Sequence, residues 1–417
     1  MITQGGHNRF LQAVLLSLII LGICSSPASG QSSFKTVPPV ILVSIDGFRY
    51  DYLEHTHCPN LRDLAASGTR AEWMIPVFPT KTFPNHYTIV TGLYPENHGI
   101  VSNTMYDPEF NEMFGLWKRE EVTNGRWWGG EPIWVTAEKQ GLKSATYFWP
   151  GSEAVIAGER PSSWKVYDGS VPYDVRVKQV LDWLDYPGEE RPSLVTLYFE
   201  GVDHAGHDYG PDFTAMDTSV AEADRALGML VEGLTMRGIL DSVNMIVVSD
   251  HGMAPVEKSR TVWLDDYINT DSVRVVDWGI VVSLWPRVDM VENVYSKVLE
   301  AHPQMKAYRK GEVPERLHYR NNRRIAPIIL IADEGWTITR RGSGNAWRRS
   351  ERGGNHGYDN QSVTMRALLV ARGPAFKPGA VVEPIENIHL YSLMAHLLKL
   401  KPAANDGNLE AVRSLLR

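Results

Sequence analysis

VILVSID, residues 40–46, is the stretch from which the fold is read. Its near-continuous apolar run lacks the polar alternation of a half-exposed strand. Such runs form strands buried on both faces, as in a parallel sheet between two helical layers. Asp46 closes the run and Gly47 follows it. Four more runs share this form: SATYFW at 144–149, SLVTLYFE at 193–200, MIVVSD at 245–250 and RALLVARG at 366–373. Between them lie helix-like stretches. PNLRDLAASG at 59–68 has apolar residues at helical spacing and a glycine stop, and MDTSVAEADRALGMLVEGLTMRG at 216–238 is the longest amphipathic segment. Alternating strands and helices predict an α/β, doubly wound sheet with helices on both faces.

Two segments read differently. Residues 266–345 carry VRVVDWGIVVSLWP, NVYSKVLEAHP and APIILIADEGWTI, a strand–helix–strand pattern. They are expected to form a small α+β insertion within one catalytic unit, whose core is 31–265 and 346–417. Residues 105–190 are rich in Trp, Gly and Pro, with RWWGG at 126–130 and PGSEA at 150–154, and read as loops roofing a site.

The 417 residues are 43% hydrophobic and 22% charged, with a net charge of -7. That balance suits a globular α/β protein and argues against binding a nucleic-acid duplex, which needs a basic surface. Residues 1–30 read as a secretory signal: Arg9, the apolar run 11–24, then small residues, with cleavage after Ala28 or Gly30. Lipoprotein processing at Cys24 is disfavoured by the bulky Ile23, and an uncleaved anchor is a third option. The chain is expected to be exported, to a periplasm or the exterior, without stable membrane insertion after cleavage. Cys58 is then the one remaining cysteine, so no internal disulfide can form, and it reads as a half-buried spectator.

Ligand sites in doubly wound sheets sit beyond the carboxyl ends of the strands. Asp46 and Asp250 each close a strand there, and Asp203 follows another after a short loop. In DHAGH, Asp203 and His207 stand four apart, a spacing that one helical turn or a tight loop can bring to one ion. His251 follows Asp250, and His356 sits in the glycine-rich GGNHGYDN. Each of these is ordinary alone: a turn aspartate, a solvated histidine. Together they supply three Asp and three His converging on one sheet edge. That mixed set favours zinc or a similar ion over magnesium. Two ions about 4 Å apart would clamp the attacking and leaving oxygens of a phosphoryl transfer. FPTKTFPNHYTIVTGLYP at 78–95 offers Thr80 and Thr82 as nucleophile, with a following helix whose N-terminus would face a phosphate. Spacing alone leaves the two threonines open, and either could instead be an N-cap. Lys81 beside them reads as a solvated side chain.

The strings VSIDGFR, PTKTFPNHYTIVTGLYPENHGIVSNTMYDP, RWWGGEPIW, YFEGVDHAGHDYGP, VVSDHGM and NHGYDN resemble, in order, the nucleotide pyrophosphatase/phosphodiesterases. The compact, cysteine-poor form is similar to the bacterial members rather than the multidomain animal ones. The resemblance implies an alkaline phosphatase-like fold and two Zn2+ ions. It implies Thr82, the threonine before FPN, as nucleophile. One ion would be held by Asp203, His207 and His356, the other by Asp46, Asp250, His251 and the Thr82 oxygen. Asn103 would hydrogen-bond a phosphate oxygen. Phe83, Tyr167 and Tyr198 would hold the base of a nucleotide substrate, although each also reads as plain core packing, Tyr198 above all because it lies within a strand. The implied reaction cleaves nucleotide phosphodiester or pyrophosphate bonds through a threonyl-nucleotide and releases a nucleoside 5′-monophosphate. The alternatives are a choline-bearing lipid phosphodiester or a phosphomonoester as substrate, or a non-catalytic ligand-binding relative.

Overall fold

The structure, a computed structural model, describes residues 37–342 and 351–417. The signal expected at 1–30, with Cys24, lies outside the described residues. Among those residues no helix is long and apolar enough to cross a membrane.

The strand at 40–46 forms as β1, Val40–Ile45, buried along its whole length. Its side chains alternate between two cores. Val40 and Leu42 pack into one, and Ile41, Val43 and Ile45 into the other. This two-sided burial is why the run shows no polar alternation. The rest of the sheet comprises β2 (Thr69–Ala71), β3 (Ser144–Tyr147), β4 (Ser163–Trp164), β5 (Leu194–Phe199), β6 (Asn244–Val248), β7 (Leu369–Arg372) and β8 (Ala380–Val382). Their order is β8–β2–β7–β6–β1–β5–β3–β4. β1 pairs parallel with both β5 and β6, so these three strands end at one edge.

The helices divide between the faces. α1 (Pro59–Ser67), α4 (Tyr173–Leu184) and α6 (Phe213–Met236) supply Leu61, Val177 and Leu227 to one core. α2 (Thr82–Thr91), α3 (Ile133–Lys139) and α7 (Leu390–Leu397) supply Ile89, Trp134 and Leu393 to the other. α5, Gly201–Tyr209, is short and sits at the carboxyl end of β5. The α/β sheet with helices on both faces is as expected.

Three expectations need correction. The run at 366–373 forms β7, but it lies antiparallel to β6. The chain reaches β7 from His356 at the sheet's carboxyl edge and so runs away from that edge, a direction an apolar run does not encode. Residues 105–190 are not only loops. They hold a hairpin, Thr104–Asp107 with Glu112–Gly115, and α3, β3 and α4 of the core. Cys58 is fully buried rather than half-buried, and burial pushes its thiol up to about 11.

Between β6 and β7 a separate four-stranded antiparallel sheet comprises Arg274–Val276, Val281–Trp285, Met305–Arg309 and Ile328–Ala332, with the helix Val291–Val298. The strand at 305–309 goes beyond the strand–helix–strand pattern. It alternates buried Met305 and Ala307 with exposed Lys306, a period-2 signal too short to stand out.

Candidate active site

Asp46 is the first residue beyond β1, and Asp250 the second beyond β6. Asp203 and His207 lie one turn apart on α5. His356 follows the strand Arg352–Asn355, which pairs with Ala254–Glu257 behind His251. Gly354 permits this approach, since a Cβ there would lie 2.4 Å from the Gly206 carbonyl oxygen. Gly47 does the same between the end of β1 and α5. Its φ is +68°, a Cβ would lie 2.8 Å from Asp203 Cα, and its N–H donates to Asp250 Oδ1 at 3.1 Å.

The six residues fall into two groups, Asp203–His207–His356 and Asp46–Asp250–His251. Within each group the donor atoms lie within 4.8 Å of one another, and all but His207 are buried. In all three histidines Nδ1 contacts a backbone carbonyl: His207 that of Gly354 at 3.1 Å, His251 that of Gly252 at 2.9 Å, His356 that of Thr80 at 2.9 Å. Nδ1 is therefore the protonated nitrogen in the neutral rings, and Nε2 presents a lone pair to the centre. Nε2 of His207 and His356 face one another at 3.2 Å. Asp46 Oδ1, Asp203 Oδ1 and Asp250 Oδ2 are buried and accept no hydrogen bond among the described residues, although His251 Nε2 lies 3.0 Å from Asp250 Oδ2.

Charge tells the same story. Burial, then the nearby Asp250 and Asp203, push the Asp46 carboxyl well above its ordinary range. Burial, then His251 and His207, push His356 well below its own. Burial also pushes Asp250 upward, but His251 and His86 beside it outweigh that and hold it low. Imidazole nitrogens and carboxylate oxygens crowded together in a dry cluster fit a cation in each group, and Asp/His donors fit a transition ion.

Thr82 is the first residue of α2, with its Oγ1 3.5 Å from His251 Nε2, and it lines a cavity of about 330 Å³ that opens on the Asp203 group. Its hydroxyl is not used as a helix cap; the capping position is Lys81, which makes no side-chain cap. Thr80 is fully buried, donates to the Tyr358 carbonyl at 3.0 Å and accepts from Gly357 N at 2.9 Å. Geometry thus separates two threonines that spacing left open. Asn103 lines the cavity, and its Oδ1 accepts from Phe83 N at 2.8 Å, which leaves its amide nitrogen as a donor with no partner among the described residues.

Phe83, Tyr167 and Tyr198 all line this cavity. The Tyr198 ring is almost fully buried, and its hydroxyl donates to Asp46 Oδ2 at 2.6 Å. The residue is therefore both cavity wall and support for a candidate ligand. Lys81 is not solvated: it is 6% exposed and its Nζ donates to Asp277 Oδ2 at 2.5 Å. Sequence reasoning missed Leu116, Phe148, Trp149 and the Arg119–Glu153 ion pair in the cavity wall. It also missed His86, one turn after Thr82, which contacts Ser44 Oγ at 2.8 Å, the Thr82 carbonyl at 2.9 Å and Asp250 Oδ2 at 3.3 Å. The i,i+4 spacing from Thr82 was the available signal.

An α/β sheet of this order, carrying two Asp/His groups beside a helix-start threonine, defines an alkaline phosphatase-like protein. The type I phosphodiesterase / nucleotide pyrophosphatase family matches residues 40–359, and the chain belongs to that family. It is 44% identical over 408 residues to a venom phosphodiesterase of Naja atra, covering 94% of this chain and 48% of the relative. It is 40% identical over 398 residues to the bovine (Bos taurus) ectonucleotide pyrophosphatase/phosphodiesterase family member 3, covering 91% and 44%. The chain thus spans about half the length of these curated relatives. A solved murine ectonucleotide pyrophosphatase/phosphodiesterase 5 superposes with a TM-score of 0.86 at 37% identity, covering 91% of this chain and all of that one. That structure is an inactive threonine-to-alanine variant in complex with AMP.

Proposed function

We propose that the protein hydrolyses nucleotide phosphodiester and pyrophosphate bonds through a covalent threonyl-nucleotide and releases a nucleoside 5′-monophosphate. The observation that carries this reading is the position of half-buried Thr82 at the start of α2, lining the same cavity as Asn103 and the Asp203–His207–His356 group. Two Zn2+ ions are the proposed cofactors. Asp203, His207 and His356 would hold one. Asp46, Asp250 and His251, with the Thr82 oxygen, would hold the other. When bound, the ions supply positive charge that lowers the cost of a threonine alkoxide and of charge building on phosphate oxygens.

The chain's own residues do the rest. Thr82 Oγ1 forms a bond to phosphorus as the bond to the leaving oxygen breaks, and water then attacks phosphorus and frees Thr82. The Asn103 amide nitrogen donates to an equatorial phosphate oxygen, strongest as charge builds there. Phe83, Tyr167 and Tyr198 wall the slot for the base, and ring stacking of that kind tolerates any base. The proposed catalytic core is 31–265 and 346–417, with 266–345 as an α+β insertion in the same unit. The antiparallel sheet at 274–332 supports that boundary. Export to a periplasm or exterior, and membership of the bacterial branch, belong to this proposal and rest on the N-terminal composition and the lone Cys58. The relatives named above are from snakes and mammals.

The test compares a nitrophenyl ester of a nucleoside monophosphate with nitrophenyl phosphate, with chelator and with zinc restored. Preference for the diester, abolished by chelator and regained with zinc, is expected. Preference for the monoester, or for a choline-bearing phosphodiester, would replace the substrate assignment. No metal-dependent turnover on any of them would make the protein a binding relative.

A further inference from the structure

Lys81 and Ser102 stand immediately before Thr82 and Asn103, and their side chains meet on one atom. Lys81 Nζ donates to Asp277 Oδ2 at 2.5 Å, and the Ser102 hydroxyl donates to the same oxygen. Asp277 lies 196 positions from Lys81 and 175 from Ser102, between the strands Arg274–Val276 and Val281–Trp285 of the antiparallel sheet. Its φ is +62°, left-handed for a residue with a Cβ, so the turn holds a conformation most residues avoid. The Lys81 and Asp277 side chains are 8% and 15% exposed. Such an ion pair is shielded from water, and losing one partner strands the other's charge.

The Lys81 stem also passes close to a third element. A Cβ on Gly357, the residue after His356, would lie 3.1 Å from Lys81 Cε. One carboxylate therefore ties together the neighbours of Thr82 and Asn103. Thr82 and Asn103 are already coupled through the bond from Phe83 N to Asn103 Oδ1.

We infer that Asp277 is a positioning residue for the reacting centre, supplied by the 266–345 segment, which sets the spacing between Thr82 and Asn103 through Lys81 and Ser102. It touches no reacting atom. Its effect falls on the transition state, where a misplacement of about 1 Å costs on the order of 100-fold in rate, rather than on binding of the base. The inference rests on the function proposed above.

The experiment measures kcat and KM on the nitrophenyl nucleotide ester for the full chain, Asp277→Asn, Asp277→Ala, Lys81→Met and the Lys81→Met/Asp277→Ala double variant. AMP affinity, bound metal and Tm are read beside them. The expected result is a 10- to 100-fold fall in kcat for Asp277→Ala and for Lys81→Met. KM and AMP affinity should stay within about 3-fold, metal content unchanged, and the double variant no worse than the poorer single, since residues acting as a unit are not additive. Asp277→Asn, which keeps an acceptor for Ser102, should recover part of the loss. Unchanged kcat in the folded variants, or KM and AMP affinity worsening as much as kcat, would overturn the inference. Multiplying losses in the double variant would do so as well. If Asp277→Ala does not fold, Lys81→Met and Asp277→Asn carry the same comparison. An inactive wild type is the separate failure of the function itself.

Discussion

The Tyr198 hydroxyl donates a 2.6 Å hydrogen bond to Asp46 Oδ2, while its ring forms part of the wall of the cavity that Thr82 also lines. One side chain therefore touches a candidate metal ligand and the slot proposed for a base. Partners of this kind orient metal ligands, and their loss commonly costs 10- to 100-fold in metal affinity. Tyr198→Phe should then bind zinc on the order of 10-fold more weakly, measured by chelator competition, and keep its AMP affinity within a few-fold. The reverse pattern, with zinc unchanged and AMP weakened, would remove the hydroxyl from this role.

The two threonines separate cleanly. Thr82→Ala should lose turnover by several orders of magnitude and retain its metal and its Tm. Thr80→Ala should keep the nucleophile and lose stability, on the order of 1–3 kcal/mol, because it strands the buried Gly357 N–H. Urea unfolding and single-turnover assays on both variants distinguish them. An active Thr82→Ala beside an inactive Thr80→Ala would exchange the assignments.

Phe83 adjoins Thr82 and packs against Phe114 and Trp128 with ring centroids 6.0 Å away. If its exposed part stacks on a base, Phe83→Ala should cost nucleotide substrates about 1–3 kcal/mol in kcat/KM and a simple aryl phosphodiester much less. Equal losses on both substrates would leave Phe83 as packing alone.

Asp107, at the end of its strand, is buried and accepts from Arg324 Nε at 2.7 Å and from Arg323 Nε at 3.0 Å. Burial pushes its carboxyl up, but the two guanidiniums outweigh this and hold it at about 2 against an ordinary 3.8. A carboxyl depressed in the folded state contributes stability that is complete above the unfolded value and lost as pH falls toward the folded one. The unfolding free-energy gap between wild type and Asp107→Asn should therefore be widest near neutral pH and narrow between 3.8 and about 2. A gap that stays constant through that window would contradict the assignment.

Much of the site was legible because its chemistry is local in the chain. Strand-closing Asp46 and Asp250, and the helical spacing of Asp203 and His207, are patterns within ten residues. The pairing of those pieces into two groups came from resemblance, and the geometry supports it. What spacing could not supply depends on direction or distance. An apolar run at 366–373 carries burial but not polarity, so the antiparallel set of β7 was invisible. Lys81 has the look of a surface residue until Asp277 arrives from 196 positions away. Thr80 and Thr82 differ only in what surrounds them, and Gly357 N, which bonds Thr80, is 277 positions distant.

Five of the six donors leave the sheet at or just beyond β5, β1 and β6, three adjacent parallel strands, and His356 joins them from the strand Arg352–Asn355. The gap between the two groups is therefore inherited from the backbone ladder, which spaces neighbouring strands by about 4.8 Å. That ruler is made of main-chain hydrogen bonds and is indifferent to which side chains the helices carry. Helices and loops around the edge can diverge freely, altering what enters the cavity, without stretching the separation that the proposed pair of cations would need.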